Sequence, residues 1–322
     1  MERVIKLIAD DLAKLESTIQ QLVTTKIGFI KEIVNHIIKS GGKRVRPILI
    51  ILTARLCGYK AEKHVSYAAI IEFIHTATLL HDDVVDNAQT RRGSSTANIV
   101  WGNEPSVLVG DFLFSKSFEL MTHNGSEEIL KVMSEATTAL AEGEILELLQ
   151  TCNGDTTEEE YFEIINSKTA SLFAAACEVG AILGKVSQQK RSALKNFGYN
   201  LGMAFQLTDD VLDYVSYDAV LGKRVGTDLK EGKVTLPLIH ALKTCTDKEK
   251  SYINSVLSKE KVTAQDFGRV SRIIRKYGGV EYTVQTTQEF INEAKDNLKY
   301  FRPSAYKESL VTLADYILAR QT

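Results

Sequence analysis

The chain has 322 residues, 44% hydrophobic and 25% charged, an ordinary globular composition that excludes a disordered, collagen-like or low-complexity protein. Only 4 prolines occur, where about 5% usage would give roughly 16, and since proline breaks helix interiors this predicts long helices with few loops. Thirty-nine basic and 41 acidic residues leave a net charge of -2, without the basic excess of a nucleic-acid binder.

In chain order, apolar residues at Val4, Ile8, Leu12, Leu15, Ile19 and Leu22 recur at helical spacing. Charges are mixed through this start, so a secretory signal peptide is not expected. Ser40-Gly41-Gly42-Lys43 breaks the pattern, and an apolar helix is predicted from about Pro47. Its run PILIILTA is far short of the ~20 residues that span a bilayer. A further helix is predicted from His64 to about Asp86, a polar loop over Asn87–Gly102, and a helix capped by Asp111. Helical patterns continue over Ser126–Leu149, Thr157–Leu183 and Ser187–Tyr214. Ser216–Gly232 reads as a loop rich in glycine and charge, and the tail from Thr235 on is again helical. No stretch sustains period-2 alternation and no linker divides the chain, so residues 1–322 are expected to form one all-α domain. Cys57, Cys152, Cys177 and Cys245 lie far apart without a CxxC pair, which predicts free buried thiols, no zinc site and a reducing, cytoplasmic setting.

Two apolar segments end in the same acidic pattern. IHTATLLHDDVVD carries Asp82, Asp83 and Asp86, and MAFQLTDDVLD carries Asp209, Asp210 and Asp213. In a helix the first and last aspartates of each DDxxD share a face, so their carboxylates repel. Near a helix C-terminus the macrodipole disfavours them further. A solvated acidic helix end is the plain alternative for one such motif. Two of them, each preceded by core residues, point instead to a cavity mouth. Oxygen-only ligands suit a hard cation, Mg²⁺, bound together with substrate phosphates.

A diphosphate also needs cations. Lys43 and Arg46 follow a glycine pair before a helix start, and Arg91 and Arg92 follow the first acidic motif. Lys168 sits in an apolar stretch, Lys223 and Lys233 flank the second motif's loop, and Gln206 lies on the same face as Asp209. His75 lies about two helical turns before Asp82. Each of these alone is most simply a solvated cation or a satisfied core residue.

GGKRVRP, HDDVVDNAQTRRG, SKTA and FQLTDDVLD occur in that order, and together they resemble the trans-isoprenyl diphosphate synthases, or polyprenyl synthetases, from about residue 25 to the C-terminus. The segments IHTATLLHDD, LVGDFLFSKSFELM, AEGEILEL and KVTLPLIHAL look most like members that make octaprenyl diphosphate for bacterial quinones. The resemblance implies an isoprenoid synthase helical bundle around a deep central cavity, usually a homodimer. It implies Mg²⁺, three ions together with diphosphate, ligated by Asp82, Asp86 and Asp209 and supported by Asp83, Asp210 and Asp213. Arg91, Lys168, Thr169, Gln206 and Lys223 would hold an allylic diphosphate, with Lys233 near its phosphates. Lys43, Arg46, His75 and Arg92 would hold isopentenyl diphosphate. Farnesyl diphosphate is the expected starter, with heptaprenyl, nonaprenyl or shorter products as alternatives to octaprenyl. No nucleic acid and no transmembrane segment are expected, with transient membrane contact at product release.

Product length should follow the depth of the apolar pocket. Ala77 and Thr78, one turn before Asp82, are small and leave it open, and Met121 or Met133 would form a deeper floor. Three rival readings exist. His81-Asp82 fits an HD-type metal phosphohydrolase, but that leaves the second DDxxD unexplained. A class I terpene cyclase typically carries a mixed Asn/Ser/Glu second motif. A non-catalytic subunit of a heteromeric synthase commonly loses an aspartate-rich motif, and both are intact here.

Overall fold

A computed structural model describes residues 1–124, 126–215 and 226–320. These residues are helical almost throughout, and they form two compact units.

The first unit comprises Met1–Thr137, Leu172–Gly198 and Leu298–Thr312. It contains α1 (Glu2–Leu7), α2 (Ala9–Leu22), α3 (Gly28–Lys39), α4 (Val45–Leu56), α5 (Lys63–Val85), α6 (Ala97–Trp101) and α7 (Asn103–Asn124), followed by the start of α8 (Glu127–Gln150). The single helix expected at the start is broken at Ile8, whose backbone leaves the helical region. Val45 and every residue from Pro47 to Ala54 of α4 are buried, as expected of a helix that is apolar nearly all round. Helix α5 packs on α4, α7 and α2. Gly180 of α10 (Ser171–Leu183) sits where a Cβ would collide with Thr53, so the missing side chain lets α10 close on α4.

Two expectations for this unit need correction. Asp111 is not a cap but lies inside α7, which begins at Asn103 with Pro105 in its first turn, where a missing N–H costs nothing. The polar stretch before it is not all loop. It holds α6 and a two-stranded hairpin, β1 (Thr90–Arg91) and β2 (Ser94–Ser95), with Thr90 paired to Ser95 and Arg91 to Ser94. Arg92 and Gly93 make the turn, with φ of 53° and 79°, the conformation that two-residue hairpin loops demand. Two-residue strands are too short for alternation to reveal.

The second unit comprises Thr138–Ser171, Tyr199–Asn297 and Leu313–Thr322. Its elements include α9 (Glu158–Ile165), a π-helical turn Asn166–Ala170, most of α11 (Gln188–Val215), and helices Leu236–Thr244, Asp247–Leu257, Ala264–Lys276 and Gly279–Asn297. Three of its helices start with capping boxes, Thr157 with Glu160, Thr246 with Glu249, and Thr263 with Asp266. Tyr161, Ile165, Met203, Leu207, Tyr214 and Leu236 belong to its apolar core. Gly279 lies against the carbonyl of Pro237, which brings helix Gly279–Asn297 onto helix Leu236–Thr244. Of the expected loop Ser216–Gly232, Thr227–Lys230 is a helical turn, while the stretch 216–225, with Lys223, lies outside the described residues. Among the described residues no helix is long and apolar enough to cross a membrane.

Candidate active site

The first acidic motif closes α5. Asp86 is the helix C-cap, and Asp82 and Asp86 are half-buried one turn apart. Asp83, between them, points inward and is 1% exposed. It accepts a hydrogen bond from Arg91 Nε at 2.7 Å, and its carbonyl accepts from Asn98 at 3.0 Å. Burial pushes the Asp83 carboxyl above its ordinary pKa, with Arg91 opposing. The middle aspartate thus anchors the hairpin, and Arg91 stands as its partner.

Four arginines of this unit, Arg46, Arg92, Arg91 and Arg44, lie near enough to His75 to act on its charge. A Cβ on Gly42 would lie 2.7 Å from Arg92 Nη1, so that glycine lets the Arg92 guanidinium rest on the GGKRVRP segment. The Arg46 guanidinium carbon lies 4.9 Å from the centroid of the Phe173 ring. Burial, and then the nearby Arg46, Arg92, Arg91 and Arg44, hold His75 well below its ordinary pKa, so the ring is neutral at pH 7. Lys43 is exposed on the same segment. Ala77 and Thr78 are buried one turn before Asp82, and Met121 and Met133 are buried as well.

His81 turns away from this work. Its Nε2 lies 3.1 Å from the Val107 carbonyl and 3.4 Å from Asp111 Oδ1, and its ring packs on Phe114. An HD-type metal site would need it as a ligand.

The second motif closes α11 and repeats the design. Asp210 is buried, 2% exposed, and accepts hydrogen bonds from the Tyr161 hydroxyl and from Gln206 Nε2 at 2.8 Å. Burial raises the Asp210 carboxyl to about 7. Gln206 in turn accepts from Thr169 Oγ1 at 2.9 Å. Asp213 accepts from the backbone N–H groups of Thr227 at 3.1 Å and Asp228 at 3.0 Å. Asp209 receives Arg320 Nη2 at 2.8 Å.

Lys168 sits on the π-helical turn, a rare geometry that recurs at functional sites. Its ammonium lies 2.7 Å from both Glu144 and Glu147. Lys233 lies 2.8 Å from Glu231 and 3.6 Å from Glu147. Burial works against the Glu147 charge, but Lys168 and Lys233 hold its carboxyl below the ordinary value. Glu144 and Glu147 lie in AEGEILEL, three apart after Gly143 on one helix face, a spacing that signals a shared role, whereas nothing in the sequence singles out Tyr161 or Arg320.

Among the described residues no group of three or more His, Cys, Asp or Glu is gathered to hold a metal. A hard cation such as Mg²⁺ takes one or two carboxylates, with phosphate and water completing its shell. The oxygen-only pairs Asp82/Asp86 and Asp209/Asp213 fit that requirement.

A nearly all-helical fold with an aspartate-rich helix end in each unit, and arginines near the first of them, suits an enzyme that handles diphosphates. The chain belongs to the polyprenyl synthetase family, whose model matches residues 28–274, and it is a prenyltransferase. It is 41% identical over 325 residues to the octaprenyl diphosphate synthase of Escherichia coli (strain K12), with 99% of each chain covered. It is 39% identical over 315 residues to an all-trans-nonaprenyl-diphosphate synthase (geranyl-diphosphate specific) of Rhodobacter capsulatus, covering 97% of this chain and 96% of that one. Among solved structures, it is similar to a polyprenyl synthase from Caulobacter crescentus CB15 complexed with calcium and isoprenyl diphosphate. The TM-score is 0.96 and the identity 40%, over 100% of this chain and 98% of that one.

Proposed function

We propose that the protein adds isopentenyl diphosphate units to farnesyl diphosphate and releases octaprenyl diphosphate, the side-chain precursor of a quinone. The observation that carries the reading is the arginine cluster around a neutral His75 on the same helix as Asp82 and Asp86. It is an anion site beside a cation site, without an enzyme nucleophile. Lys43, Arg46, His75 and Arg92 bind isopentenyl diphosphate. Arg91, Lys168, Thr169, Gln206, Lys223 and Lys233 serve the allylic diphosphate.

Asp82, Asp86 and Asp209 are the proposed ligands of Mg²⁺, three ions with the diphosphate, and Asp83, Asp210 and Asp213 support them. Bound Mg²⁺ supplies positive charge that stabilises the diphosphate as it departs. The allylic C–O bond breaks, the isopentenyl double bond attacks the allylic carbon, and a proton leaves to the departing diphosphate. The arginines contribute fixed positive charge where negative charge develops. Apolar walls beside Ala77 and Thr78 receive the growing chain, exclude water and reach a floor at Met121 or Met133. We further propose one domain over residues 1–322, a cytoplasmic homodimer, and transient membrane contact at product release.

Incubation with isopentenyl and farnesyl diphosphates and Mg²⁺ tests the reading. Elongated product is expected, and chelation with EDTA should abolish it. Absence of elongation with Mg²⁺ present would favour a non-catalytic subunit instead.

A further inference from the structure

GGKRVRP contains three cations, and only Lys43 and Arg46 have a role so far. Arg44 stands apart. Its backbone is left-handed, φ 48° and ψ 32°, a conformation a non-glycine residue holds only where its surroundings impose it. Its guanidinium forms an ion pair with Glu72 and reaches Glu16 at 3.2 Å.

Glu72 is 6% exposed, between Ile70, Ile71, Phe73 and Ile74 of α5, all buried. A carboxylate there is tolerable only with a partner, and Arg44 is that partner. Glu72, His75 and Asp83 lie three and eleven residues apart, spacings that place all three on one face of α5. Two buried carboxylates therefore flank His75 along the helix. Each takes an arginine from a different basic loop, Glu72 from GGKRVRP and Asp83 from TRRG. Glu72 and Asp83 are also carboxylates that offset the positive field at Arg92.

We infer that Arg44 and Glu72 are positioning residues for the isopentenyl diphosphate subsite. Their buried ion pair pins the left-handed turn at residue 44, and so sets where Lys43 and Arg46 stand beside His75 and Arg92. Neither residue touches substrate, and the pair matters to one diphosphate and not to the other. The inference rests on the assignment of that subsite to isopentenyl diphosphate.

Three variants separate the roles: Glu72→Gln, Arg44→Lys and Arg44→Gly. Glycine adopts the left-handed turn without penalty but cannot make the pair, whereas lysine keeps the charge. Steady-state KM is read for each substrate. Glu72→Gln and Arg44→Gly should each raise the isopentenyl KM about tenfold, with the farnesyl KM within about twofold of wild type and Arg44→Lys between wild type and glycine. Thermal melts identify any variant that fails to fold; Arg44→Gly leaves the Glu72 carboxylate buried without its partner, so Glu72→Gln, in which Arg44 keeps Glu16, carries the test if Arg44→Gly does not fold. Two results would overturn the inference. One is an isopentenyl KM equal to wild type in Glu72→Gln or in a folded Arg44→Gly, and the other is an equal rise in both KM values. Calorimetric titration with isopentenyl diphosphate alone reads the same pair without turnover. A wild type that binds it but elongates nothing would sink the proposed function while leaving the pair's effect measurable.

Discussion

Asp83 and Asp210 occupy the same place in the two acidic motifs, and the structure treats them alike. Each is buried and holds a neighbouring element, Asp83 the hairpin arginine and Asp210 the α9 tyrosine. The flanking Asp82, Asp86, Asp209 and Asp213 are half-buried. The DDxxD spacing alone marked the flanking pairs as sharing a face. It could not show what the middle aspartate bonds to, because Tyr161 comes from a distant part of the chain. Tyr161→Phe removes the hydroxyl and leaves a buried carboxyl short of a donor. The expected loss is about 1–3 kcal/mol of stability in urea unfolding, together with a lower kcat. Unchanged stability and turnover would show that the hydrogen bond positions nothing.

Helices are where sequence and structure agree best. The extents of α5, α8 and α11 follow from apolar periodicity, and both acidic motifs fall at helix ends as expected. The failures are local and physical. Asp111 resembles a cap in sequence, but the α7 ladder already runs from Asn103. The π-helical turn has no compositional signature, yet it carries Lys168. Gly143 of α8 explains how that turn is reached: a Cβ there would lie 2.7 Å from Lys168 N and 2.9 Å from Ser167 Cβ. Gly143→Ala should therefore push α8 away from Lys168, through overpacking that typically costs about 1–3 kcal/mol. The Lys168 ion pairs with Glu144 and Glu147 should loosen with it. A fall in melting temperature with a raised KM for the allylic diphosphate is the expected outcome. A variant with wild-type melting and kinetics would contradict this packing.

Over the whole chain, the net charge of -2 hides its organisation. Each compact unit carries one acidic motif and its own cations, Arg91 and Arg92 in the first and Lys168, Lys233 and Arg320 in the second. Summed charge argues about bulk partners such as nucleic acid and is blind to such local opposition. All four cysteines are free, but only Cys177 is fully buried and Cys152 is exposed, so the expected burial holds for one of them; folding rests on helix packing rather than cross-links. Burial pushes the Cys57 thiol up to about 12 and that of Cys177 higher still, which keeps both inert at neutral pH. Product length is the property most dependent on the whole chain, since relatives of similar identity make different lengths. The central claim is therefore tested most directly by mass spectrometry of the product formed from isopentenyl and farnesyl diphosphates with Mg²⁺. An all-trans octaprenyl diphosphate is the predicted product, and a product that stops at geranylgeranyl diphosphate, or no condensation at all, would contradict it.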